Sequence, residues 1–87
     1  MPLILTFASS HQALAAERQF LGAGLPVELI PVPRQIRSDC GFCLLADAGA
    51  GDRWLQLLGA CGAQERWRVL VSEDPSLRKV KSYERLP

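Results

Sequence analysis

Three features of the sequence predict an α+β fold of order β-α-β-β-α-β. Short apolar runs rich in β-branched and aromatic residues alternate with stretches of helical spacing. Glycines close both helical stretches, as expected where the chain turns left-handed at a helix end. Prolines punctuate one extended segment, Val27 to Val32, and a strand that cannot donate at Pro31 and is followed by Pro33 belongs at a sheet edge.

The elements follow in order. Leu3 to Ala8 reads as the first strand. Ser9 or Ser10 can cap a helix in which Ala13, Ala16, Phe20 and Leu21 recur on one side, and Gly22 and Gly24 end it. Val27 to Val32 is the second strand, Arg34 to Asp39 a polar connection, and Phe42 to Ala46 the third strand. A loop over 48–52 supplies Asp52 as a cap for the second helix. Trp54, Leu55, Leu57, Leu58 and Cys61 form that helix's apolar stripe, and Gly62 closes it. Trp67, Val69 and Val71 alternate with Arg66 and Arg68 in a fourth strand, where the charges read as blunting an edge. Short connections and right-handed crossovers make this a ferredoxin-like sandwich, a four-stranded antiparallel sheet with both helices on one face. Strands one and three would be central. Residues 1–72 would form the single domain, and 73–87 a polar C-terminal tail.

Composition narrows the function. At 87 residues, 48% hydrophobic and 22% charged, the chain has the make-up of one folded domain. A formal net charge of +1 lacks the basic footprint of a duplex nucleic-acid binder, and the sheet lacks the aromatic platform of an RNA binder. No apolar run reaches the about 18 residues of a membrane span. The start of the chain reads as a strand and not an export signal, so the three cysteines are expected as free thiols in a reducing cytosol.

The predicted topology concentrates the chemistry at one end of the sheet. If strands one and three are antiparallel neighbours, Ser9, Ser10 and His11 at the start of the first helix face Cys40 and Gly41 at the start of the third strand. Arg34 and Arg37 sit in the connection before Cys40. A helix N-terminus and nearby cations favour an anion and lower a thiol's pKa. His11, the sole histidine, can stabilise a thiolate or move a proton, or be a surface residue. Gly41 allows close approach of a reactant, or merely a bend. Cys43 completes a C-x-x-C, but residues three apart in a strand point to opposite faces. It is therefore expected in the core, with a resolving thiol as the alternative. Cys61 is expected in the core. Structural zinc wants four closed ligands, and one close cysteine pair does not supply them. No metal or cofactor is called for.

The segments Phe7-Ala8-Ser9-Ser10-His11-Gln12-Ala13-Leu14-Ala15-Ala16-Glu17, Pro31-Val32-Pro33-Arg34-Gln35-Ile36 and Ser38-Asp39-Cys40-Gly41 resemble the putative Se/S carrier protein-like family of small bacterial and archaeal proteins. The resemblance covers the first half of the chain. It implies a carrier that holds sulfur or selenium on Cys40 as a persulfide or selenopersulfide. Protein donors and acceptors would be its partners, and it would be an accessory protein more than an enzyme with its own turnover. Ser9, Ser10, His11, Arg34 and Gly41 align with the motif. Arg37 stands where the family often has serine, and Cys43 is a sulfur the motif does not require. Two other readings compete. One is an interaction or small-anion-binding regulatory module, with a homodimer through sheet edges compatible with it. The other is a dithiol redox protein using Cys40 and Cys43.

Overall fold

The computed structural model describes residues 2–36, 41–49, 51–73, 75–76 and 78–87. Its elements are β1 (Pro2–Thr6), α1 (Ser10–Gly22), β2 (Val27–Pro31), β3 (Phe42–Asp47), α2 (Asp52–Ala60), β4 (Glu65–Glu73) and β5 (Lys79–Arg85). The strands form one antiparallel sheet in the order β2-β3-β1-β4-β5. The α+β reading and the alternation of its first six elements hold. β1 lies between β3 and β4, and the proline-bearing β2 lies at an edge.

β1 is buried on both faces, which is why its sequence is apolar without alternation. Leu3 and Leu5 face the helices and pack with Leu44, Ala46, Ala13, Ala16, Phe20 and Trp54 in the main core. Phe20 and Trp54 stack at 5.7 Å between ring centroids and join α1 to α2. Both helices therefore cover the same face of the sheet. On the other face a smaller cluster gathers Ile4, Cys43 and Ile36, with Ile30, Leu45, Trp67 and Tyr83 around it.

α1 ends as its glycines suggest. Gly24 adopts φ 76°, the Leu25 N–H donates to the Phe20 carbonyl at 2.9 Å, and the Gly24 N–H donates to the Leu21 carbonyl at 3.0 Å. These two bonds satisfy carbonyls that the last turn leaves free.

The sheet has five strands where the sequence predicts four. β5 pairs along the outer side of β4 from Trp67 opposite Arg85 to Glu73 opposite Lys79. The 73–87 segment thus contributes a strand. Its run Lys79-Val80-Lys81-Ser82-Tyr83-Glu84-Arg85 is charged because an edge strand tolerates charge, and such a run resembles a tail. Opposed charges help set the register, with Arg68 4.0 Å from Glu84 and Arg85 3.3 Å from Glu65. β4 is consequently not an edge, and Arg66 and Arg68 are half-buried.

α2 differs in detail. Gly51 occupies its N-cap and makes no side-chain bond, while Asp52 is the first helical residue, where its carboxylate favours the positive helix end. Leu55, expected in the stripe, is 68% exposed, whereas Trp54 beside it is buried. With 3.6 residues per turn, adjacent positions cannot share a narrow buried face.

Candidate functional site

The end of β1 and the start of β3 meet, as the strand order requires. Thr6 pairs with Cys43, so the chain leaves β1 into α1 at the end of the sheet where Gly41 and Phe42 enter β3. The start of β4 joins them, since the Gln64 N–H donates to the Thr6 carbonyl at 2.8 Å.

Ser9 is the cap of α1. Its backbone is extended (φ −151°, ψ 162°), and its hydroxyl accepts from the Gln12 N–H at 3.3 Å. No acidic residue sits in the first turn, so no carboxylate there offsets the positive helix end. Ser10 and His11 are exposed in this turn. Ser9→Ala should cost about 1 kcal/mol, the usual worth of a serine cap. Urea unfolding checks this, and an unchanged midpoint would show that the cap bond contributes nothing.

Arg34 is exposed in the β2–β3 connection, and Gly41 is exposed at its far end. The Val32 N–H donates to the Gly41 carbonyl at 3.2 Å, which continues the β2–β3 ladder past Pro31 and Phe42. A Cβ at Gly41 would meet nothing within 4 Å, and its φ lies outside the left-handed region. Neither crowding nor backbone strain explains the glycine. Arg37 and Cys40 lie outside the described residues.

The two described cysteines are both buried: Cys43 is 0% exposed in β3, and Cys61 is 9% exposed at the C-cap of α2. The Cys43 Sγ lies 3.9 Å from the Pro31 carbonyl, and the Cys61 Sγ 3.7 Å from the Leu58 carbonyl. Both sulfurs sit among apolar side chains, the setting of a structural and unreactive cysteine. Among the described residues, no three His, Cys, Asp or Glu side chains gather as a metal site. No helix among those residues is long and apolar enough to cross a membrane.

Ile36 corrects the reading of 34–39 as a purely polar connection. It is 3% exposed and packs on Ile4 and Cys43, on the face opposite the helices. One apolar residue among polar neighbours was the available signal.

The family model for putative Se/S carrier protein-like sequences matches residues 3–65. The match takes in the Ser9–His11 segment, the β2–β3 connection and Cys40, and it ends at the start of β4, short of β5. No curated protein and no solved structure matches the chain. With the match extending over most of its length, the chain belongs to the putative Se/S carrier protein-like family.

Proposed function

We propose that this protein carries sulfur or selenium on Cys40. The observation that carries the reading is the burial of Cys43 and Cys61, together with the family match. A carrier must expose its sulfur to a donor and then to an acceptor, and neither buried thiol is suited to that exchange. Cys40 is the remaining cysteine and adjoins Gly41, which the fold does not require to be glycine.

In the loading step the Cys40 thiolate attacks the outer sulfur of a donor persulfide. A bond forms between Cys40 Sγ and that sulfur, the donor's S–S bond breaks, and the donor departs as a thiolate. The acceptor's thiolate repeats the exchange and restores the Cys40 thiolate. No net oxidation occurs in either step. The start of α1, which carries Ser9, Ser10 and His11 and no acidic residue in its first turn, favours an anion at this end of the sheet, and Arg34 and Arg37 supply positive charge from the β2–β3 connection. Cys43 would act as a resolving thiol only if the start of β3 opened. In this account residues 1–72 are a ferredoxin-like carrier unit, working in the cytoplasm with protein donors and acceptors, and β5 extends its sheet.

Cyanide tests the proposal. The protein is exposed to a sulfane-sulfur donor, freed of it by desalting, and treated with cyanide. A Cys40 persulfide gives up its outer sulfur as thiocyanate and returns to the thiolate. One thiocyanate per chain is the expected yield. None above the level of the untreated protein would favour the interaction-module reading.

A further inference from the structure

β4 and β5 outrun the rest of the sheet. β1 pairs with β4 only from Leu3 opposite Arg68 to Thr6 opposite Glu65, whereas β5 follows β4 out to Glu73 opposite Lys79. Among the described residues, the outer half of this hairpin, 70–73 with 79–82, therefore stands out as a two-stranded arm. A two-stranded ribbon is marginal in water, and contact with a further surface stabilises it.

Side chains alternate along a strand, and Ile4 marks the face turned away from the helices. Ile4 lies opposite Leu45 and Trp67. The same face therefore carries Glu28 on β2, Leu45 and Asp47 on β3, and Val71, Lys81 and Lys79 on the arm. Val71 is 56% exposed there, while Leu70 and Val80 lie on the arm's other face. The Ile36 turn sits on Ile4 and Cys43, toward the opposite end of the sheet, and does not reach the arm.

The two flanks of this face are complementary in charge. On the β2–β3 flank, Glu28 and Asp47 rim a recess of about 290 Å³ that Pro26, Val27 and Leu45 also line. On the arm, Lys79 and Lys81 flank Val71; Glu73 lies opposite Lys79, and further in Arg85 pairs with Glu65 at 3.3 Å. One flank is apolar and acidic, the other apolar and basic. The arm cannot fill the recess of its own chain. β5 and β2 are the two edges of the sheet, four strand spacings or about 19 Å apart.

A second copy can fill it. A two-fold axis running along the strands lays β4–β5 of each copy over β2–β3 of the other, basic arm on acidic recess, twice. An axis across the strands would lay β5 on β5 and lysine on lysine. The two contacts are equivalent, so the association closes at two chains. Five strands about 4.8 Å apart, at about 3.4 Å per residue, make a face of several hundred Å², approaching the roughly 800 Å² per partner of a stable interface.

We infer that this face is a dimer interface, with the β4–β5 arm of one copy docked on the Glu28–Asp47 recess of the other. Asp47 lies opposite Pro2 at the start of β1, whereas α1 follows the far end of that strand. The contact thus leaves Gly41 and the start of α1 uncovered. It does not depend on the carrier reading.

Sedimentation velocity from micromolar to millimolar protein tests the interface. The variants are Lys81→Glu, Asp47→Lys, their double, and Arg18→Glu, which makes the same charge change on exposed α1; each is checked for folding by circular dichroism. Wild type should dimerise, and more weakly in high salt. Each single reversal at the interface should weaken the dimer about tenfold, the double should recover most of that loss, and Arg18→Glu should leave it unchanged. A wild type that stays monomeric throughout overturns the inference. So does a dimer that the interface reversals leave intact, which would place the contact elsewhere, such as the sheet edges, or one that Arg18→Glu weakens equally. Where a variant does not fold, carbodiimide cross-linking of mixed isotope-labelled and unlabelled wild type decides. Amide links between chains from Lys79 or Lys81 to Glu28 or Asp47 support the interface, and interchain links only at other residues overturn it.

Discussion

Cys40→Ser should take up no sulfane sulfur, while Cys43→Ser and Cys61→Ser should load like wild type. Loading needs a thiolate that a donor can reach. A serine hydroxyl stays protonated at neutral pH and is a poor nucleophile toward sulfur. The other two sulfurs are buried, at 0% and 9% exposure, so they neither compete for the donor nor substitute for Cys40. Intact-mass measurement after a brief exposure to donor reads all three variants. Retained uptake in Cys40→Ser would move the chemistry to another residue. Loss of uptake in a folded Cys43→Ser protein would point instead to the dithiol pair.

The largest expected effect on stability is that of Phe20→Ala. Phe20 is fully buried between the sheet and α2, and its ring stacks on Trp54. Deleting a buried phenylalanine side chain typically costs roughly 3–5 kcal/mol, from lost transfer energy and the cavity left behind. Against a total of about 5–15 kcal/mol for a domain, that loss removes a large share. Urea unfolding followed by tryptophan fluorescence should show a much lower midpoint, with the Trp54 contribution altered. Leu55→Ala on the neighbouring helix is the contrast: its side chain is 68% exposed, and its loss should change stability little. Equal losses from the two substitutions would mean that the helices do not pack as described.

What the sequence revealed, and what it hid, follows from the strength of each local signal. β1 was legible because its residues are apolar on both faces, and α1 because its buried positions recur at helical spacing between a serine cap and a glycine stop. The meeting of β1 with the start of β3 followed from element order alone. β5 was hidden because an edge strand with charges on both faces has no hydrophobic alternation to betray it. Its pairing depends on β4, fixed from outside the segment itself. The same blind spot put β4 at an edge: Arg66 and Arg68 were read without the strand that lies beyond them. Ile36 escaped for a different reason, since one apolar residue in a loop has no period. Its burial is visible only once the turn at Pro33 folds it onto Ile4 and Cys43. At the site, the sequence supports an expectation only: Ser9, His11, Arg34 and Cys40 are residue types that together would favour an anion, and Cys40 lies outside the described residues. The inaccessibility of Cys43 and Cys61 required the fold.

The most direct measurement of the carrier claim is the location of the added atom. Wild-type protein, briefly exposed to a sulfane-sulfur donor and digested without reductant, is analysed by peptide mass spectrometry. One added sulfur atom on the peptide containing Cys40, with Cys43 and Cys61 unmodified, is the predicted result. An added atom on Cys43 or Cys61, or none on any cysteine, would contradict it.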